Sequence, residues 1–224
     1  MPSLIHPRFS ALLQMIMHPA RRRFWRALAA LAAFCVSAAA ASAATLAEDF
    51  AVMARQYGVS ELRAGAMLHD FETWTMLVPE PPTIDYGKWQ NLNFEVLFNP
   101  PDSVVTDWLG KPRIAFTTNL NYVGKESTAS LSAVWHIPIF DSPVFFEPVL
   151  GGTIHNGHLR DAPAGRRNLG SRYLFHLGFN IGIDVSDTMT AMFSLEHSSH
   201  LWLAGASTND GLNRMGFRLG WKLD

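Results

Sequence analysis

From residue 212 to residue 223, large apolar side chains alternate with glycine or cations. Met215, Phe217, Leu219, Trp221 and Leu223 stand against Arg214, Gly216, Arg218, Gly220 and Lys222. A strand sends successive side chains to opposite faces, so this segment has one greasy face and one narrow polar face. The same period recurs upstream. Residues 91–99 set Leu92, Phe94, Val96 and Phe98 against Asn93, Glu95 and Leu97, and residues 171–185 set Tyr173, Phe175, Leu177, Phe179, Ile181 and Ile183 against His176, Gly178, Asn180, Gly182 and Asp184. Eight strand-sized segments are predicted, at 60–71, 91–99, 113–123, 128–139, 144–156, 171–185, 188–200 and 212–223. Turn residues separate them, among them Pro100-Pro101-Asp102, Gly124-Lys125-Glu126, Asp141-Ser142-Pro143 and Ser186-Asp187.

Strands with one apolar and one polar face close most simply into a barrel, and the polarity decides its kind. A soluble lipocalin-like barrel lines its interior with apolar residues. Here the minority face carries glycine and charge (Glu95, Asp184, Arg218, Lys222), which suits a polar lumen and an apolar, lipid-facing wall. Connection lengths agree. With both ends on the periplasmic side, the outward connections are 72–90, 124–127, 157–170 and 201–211, mostly longer than the inward 100–112, 140–143 and 186–187. The predicted fold is all-β, an eight-stranded antiparallel transmembrane β-barrel of the outer membrane spanning residues 60–224.

The N-terminus fits export. Arg21, Arg22, Arg23 and Arg26 precede an apolar run from Ala27 to Ala40, and Ala41-Ser42-Ala43 supplies a small-residue cleavage pattern. Residues 1–43 are expected to be a signal peptide and 44–59 a short periplasmic lead-in. The leader carries five arginines and no acids, so removing it takes the formal charge from −1 to −6. A mildly acidic mature chain is not built to bind nucleic acid. The single cysteine, Cys35, lies in the leader, so neither disulfides nor thiol chemistry enter.

The segment at 188–200 ends Phe193-Ser194-Leu195-Glu196-His197-Ser198-Ser199-His200. His197 and Ser199 share the parity of Phe193 and Leu195, which places a base and a nucleophile on the lipid side. In such a pair the imidazole takes the hydroxyl proton during attack on an ester. Pairing residues whose numbers sum to 410 consumes both strands of the last hairpin and sets Asn213 opposite His197, where an orienting group belongs. Ser198 and His200 share the inward face, where Ser and His are ordinary lumen filler, and Glu196 lies inward as well.

These residues resemble the outer-membrane lipid A 3-O-deacylases, the PagL-type acyloxyacyl hydrolases. The resemblance is carried by Val59-Ser60-Glu61-Leu62-Arg63-Ala64-Gly65, by Leu92-Asn93-Phe94-Glu95-Val96-Leu97-Phe98, by His155-Asn156-Gly157, and above all by Glu196-His197-Ser198-Ser199-His200 with Asn209-Asp210-Gly211-Leu212-Asn213. It implies an eight-stranded barrel that cleaves the ester-linked 3-O-acyl chain of lipid A, with lipopolysaccharide of the outer leaflet as partner and no cofactor or metal. His197 matches the general base and Ser199 the nucleophile. His200 stands where the family has the Asn associated with the oxyanion, so a ring N–H becomes the candidate donor. Asn213 stands at the triad Glu; it can fix the tautomer but offers no charge, and Asp210 is the alternative acid.

Two further features suit that substrate. The 157–170 loop is rich in arginine, and Arg166 and Arg167 are candidates to pair with lipid A phosphates. Trp202, in Leu201-Trp202-Leu203, is a candidate interfacial anchor beside the site. Two alternatives stay open on sequence: a non-catalytic outer-membrane barrel of the same descent, and a soluble periplasmic lipid-binding barrel.

Overall fold

The computed structural model describes residues 48–49, 52, 54–71, 85–100, 102–201, 205 and 207–223. Among the described residues nine strands form: β1 (Val59–His69), β2 (Trp89–Phe98), β3 (Arg113–Asn121), β4 (Thr128–Val134), β5 (Ile137–Pro138), β6 (Val144–His155), β7 (Tyr173–Ser186), β8 (Met189–Ser199) and β9 (Leu212–Lys222). All pair antiparallel with their neighbours, β1 pairs β9, and β4 pairs β6. The sheet therefore closes on itself as an eight-stranded barrel, with β4 and β5 sharing one position in the wall.

The expected single strand at 128–139 is broken, and the cause lies on its neighbour. β5 continues β4 along β6 in unchanged register, from Val134↔Val149 to Ile137↔Phe146. Between them Trp135 N–H donates to Pro148 O at 3.2 Å. Pro148 has no N–H to return, so the ladder loses a bond and parts there. The inward connection after β2 differs too, because it contains a short helix, α1 (Val104–Trp108), closed by a Ser103–Thr106 capping box.

Burial follows the predicted parity. Along β8, Thr190, Met192, Ser194, Glu196 and Ser198 are buried, while Met189, Ala191, Phe193, Leu195 and His197 are partly exposed. Outward residues such as Phe94, Phe116, Leu131, Ile154, Tyr173 and Phe217 are 46–76% exposed, whereas Asn93, Glu95, Glu147 and Asn180 are no more than 2% exposed. That is the polarity of a membrane barrel, the reverse of a lipocalin's. The lumen is filled, not open. Arg63 donates to Glu61, Glu95 and Glu147 at 2.8–3.0 Å. Arg218 donates to Asn93 at 2.7 Å and pairs with Glu196, whose other oxygen takes Asn119 Nδ2–H at 2.9 Å. Arg63, Arg218 and the four glutamates thus each meet both an opposite charge and hydrogen bonds, which is the condition for leaving them in the interior.

The register also fixes the tilt. Starting from Ser199, the paired residues run Phe175, Gly152, Leu131, Phe116, Val96, Leu62 and Trp221, and return to β8 at Met189, ten residues from the start. A stagger of that size over eight strands tilts them by about 43°.

Candidate active site

β8 and β9 pair in the predicted register, with His197 opposite Asn213 and Phe193 opposite Phe217. The two polar side chains meet: His197 Nδ1 lies 2.6 Å from Asn213 Oδ1. An amide oxygen only accepts, so Nδ1 carries the proton and a neutral ring presents Nε2 as a base. Ser199 lies two residues on, on the same outward face and 5% exposed. Among the described residues no hydrogen bond joins its hydroxyl to the ring. The two Cα atoms stand about 6.6 Å apart, a span that an imidazole leaning along a strand is long enough to bridge. Ser198 points into the lumen and is 2% exposed.

Gly211 completes the floor beneath the ring. Its φ is +69°, and a Cβ there would stand 3.1 Å from His197 Cε1. Alternation cannot single it out, but the Asn209-Asp210-Gly211 turn sequence is the signal that marks such a position.

His200 departs from its expected part. Its Nε2–H donates to Thr208 O at 2.8 Å, and its backbone N–H donates to Asn209 Oδ1 at 3.2 Å. A neutral His200 then has no ring N–H left for an oxyanion, and the residue braces the 201–211 loop instead. Parity stops governing here because β8 ends at Ser199 and the backbone turns at Leu201, where φ is +49°.

Among the described residues no hydrogen bond joins Asp210 to His197. Its Oδ2 accepts the Asn168 N–H at 2.8 Å, and its own N–H donates to Asn168 O at 3.1 Å. Thr208 Oγ1 adds a bond to Leu159 O at 3.2 Å. Together these bonds dock residues 208–210 onto the 157–170 loop.

The loop arginines are drawn into the same clasp. Arg166 Nε donates to Glu126 Oε1 at 2.6 Å, and Arg167 Nε donates to Asp70 Oδ2 at 2.7 Å. Glu126 also holds His69 Nε2 at 2.9 Å. Burial alone would raise the Glu126 carboxyl, but the bonds from His69 and Arg166 outweigh it and bring the group down to about 2. The Arg166–Glu126 pair is therefore fully charged above the ordinary carboxylate range and is lost as pH falls through about 2. Both arginines, expected to meet phosphate, hold protein carboxylates through Nε. Arg166→Gln should consequently lower turnover by the same factor on bisphosphorylated and on dephosphorylated lipid A. A clearly larger loss on the bisphosphorylated form, measured by mass spectrometry of the product, would return this side chain to the substrate. Trp202 lies outside the described residues.

A family model described as lipid A 3-O-deacylase (PagL) matches residues 88–222, from the residue before β2 to the end of β9. The chain belongs to the lipid A 3-O-deacylase family. Its shared stretch includes His197, Ser199 and Asn213 and leaves out only β1 among the strands. Three solved structures are similar. The N-terminal β-barrel domain of Pseudomonas aeruginosa OprF has 11% identity and a TM-score of 0.45, covering 74% of this chain and 97% of that one. The outer membrane enzyme PagL has 14% identity and a TM-score of 0.43, covering 72% and 97%. Yersinia pestis Ail has 13% identity and a TM-score of 0.39, covering 74% and 99%. No curated protein sequence matches the chain. Closed barrel and family together make this a lipid A deacylase-like barrel of the outer membrane.

Proposed function

We propose that this family member hydrolyses the ester-linked 3-O-acyl chain of lipid A from the lipid-facing side of the barrel. The observation that carries the proposal is the 2.6 Å bond from His197 Nδ1–H to Asn213 Oδ1, on the same outward face as Ser199. It leaves Nε2 free of its proton and able to act as a base. In this reading Ser199 Oγ attacks the acyl carbonyl carbon while His197 Nε2 takes the hydroxyl proton. The ester C–O bond then breaks, and the proton passes from His197 to the departing 3-oxygen of the sugar. Water, deprotonated by the same nitrogen, releases the fatty acid and restores Ser199. The reaction asks for no cofactor. Lipopolysaccharide in the outer leaflet is the partner, and residues 1–43 serve as the export signal.

One observation favours a second reading, a barrel of the same family that no longer turns over. Asn213 supplies no negative charge to the imidazolium that forms, and a neutral His200 has no ring N–H to offer an oxyanion. Mass spectrometry of lipid A from cells making the protein separates the two. Loss of one 3-O-linked acyl chain is expected. Unchanged lipid A beside a folded, heat-modifiable barrel would leave the non-catalytic reading standing.

A further inference from the structure

The inward connection between β2 and β3 carries apolar side chains that the barrel does not bury. On α1, Val104, Val105 and Trp108 are 85%, 65% and 84% exposed, and Leu109 just after it is 43% exposed. At 3.6 residues per turn these four cover one arc of about 140°, and Thr106 and Asp107 take the rest of the turn. No side chain of α1 is buried in the protein. A helix this short owes its stability to the surface it lies on, and here its apolar face has none within the chain.

The medium that face meets follows from where α1 is hung. Trp135 Nε1–H donates to Leu109 O at 2.7 Å, and a Cβ on Gly110 would stand 3.7 Å from the indole ring. Val134, one residue earlier, is buried and pairs with Val149 on the lumen side. Alternation therefore puts Trp135 on the outward side of the wall, the side that faces lipid. The end of α1 rests against that outer surface, not beneath the lumen.

The next inward connection repeats the feature. Phe140 follows β5 and is 93% exposed, with φ at +54°. The left-handed region is costly for a bulky side chain, and glycine or asparagine would occupy it more easily. An aromatic ring held out at that cost calls for something to receive it. The turn between β7 and β8 is different in kind, being built from Ser186, Asp187 and Thr188.

We propose that α1 and Phe140 form an interfacial anchor seated in the phospholipid leaflet on the periplasmic side of the outer membrane. The lipid-facing wall runs without a break from Ala133 through Trp135 to α1, so the solvent of the wall is also the solvent of the helix face. Tryptophan is the side chain best suited to that level of a bilayer, and a short amphipathic helix lies in its plane. The Asp107–Lys111 pair, 3.1 Å apart and exposed, leaves the opposite side of α1 to water and headgroups. The anchor stands apart from the Ser199 reading and serves a silent barrel equally. α1 leads into β3, which lies opposite β8: β9, β1 and β2 intervene on one side, and β7, β6 and the β4–β5 position on the other. The anchor thus holds the end and the side of the barrel away from the candidate active site.

Fluorescence quenching in nanodiscs tests this. In a Cys35→Ser background, Val105→Cys, Trp108→Cys, Phe140→Cys and Asp187→Cys each carry one bimane label, and heat-modifiable mobility confirms that each barrel folds. The nanodiscs hold phosphatidylethanolamine and phosphatidylglycerol, with or without bromine on the upper acyl carbons. Bromolipid quenching at positions 105, 108 and 140 should exceed that at 187 by about fivefold, and iodide quenching should fall in the opposite order. Iodide reaching all four labels equally would show the face open to water and overturn the anchor. Shielding from iodide without bromolipid quenching would give the face to a second copy of the chain, and would overturn it too. Unlabelled Trp108→Phe supplies the check without a probe. Relative to the parent, it should lose tryptophan emission that bromolipid quenches; loss of emission that only iodide quenches would also sink the proposal.

Discussion

Ser199→Ala is expected to abolish lipid A deacylation, while Ser198→Ala should leave most of it. The two hydroxyls are adjacent in sequence and belong to different solvents. Ser199 faces the lipid side with His197, next to Phe175 of β7. Ser198 is buried in the lumen, between Leu212 of β9 and His176 of β7. A lipid ester cannot enter that lumen, which the Arg63 and Arg218 networks fill. Removing an activated nucleophile costs about 10³-fold or more, whereas removing a lumen hydroxyl affects packing alone. Fatty acid released from purified lipid A in detergent gives the comparison, with heat-modifiable mobility confirming that both variants fold. Equal losses, or a loss confined to Ser198→Ala, would show that the outward pair is the wrong one.

The wall was legible because lipid outside and polar side chains inside impose one two-residue period on every strand. That period places Phe94, Phe116, Phe175 and Phe217 outward, and Glu95, Asn180 and Arg218 inward. The β8–β9 register was legible for a related reason: only one pairing uses both strands fully and keeps outward residues opposite each other. The break at Trp135 was not, since its cause, Pro148, sits on another strand and a proline acts on the ladder of its partner. The loop clasp was not legible either. Arg166 and Glu126 are 40 residues apart, and Arg167 and Asp70 are 97 apart. No periodicity links loop residues across such distances, so lone arginines look solvated until the fold brings carboxylates to them. The bonds of His200 were not legible because it is the first residue beyond β8, where parity ends.

Asn213→Asp should raise the deacylation rate about ten- to a hundredfold. Asn213 Oδ1 already sits 2.6 Å from His197 Nδ1, and aspartate is its isostere, so a carboxylate oxygen can take the same place without moving β9. The amide holds the ring in the right tautomer. It does nothing for the positive charge that develops when Ser199 gives up its proton, and a carboxylate in a poorly solvated site stabilises that charge. In a serine protease the reverse change, Asp to Asn, costs about 10⁴-fold, which bounds the gain from above. Asn213→Glu carries the same charge on a longer arm and must bend to fit, so its gain should be smaller. The carboxylate helps only when ionised, and the rate advantage over the parent should therefore appear as pH rises through its titration. Turnover of both variants and the parent across mildly acidic to alkaline pH makes the test. A folded Asn213→Asp barrel no faster than the parent at any pH would mean that Asn213 is not the limiting defect. If Asp210→Asn then proved equally inactive, the acid would lie in the loop, and the clasp with Asn168 would have to open for catalysis.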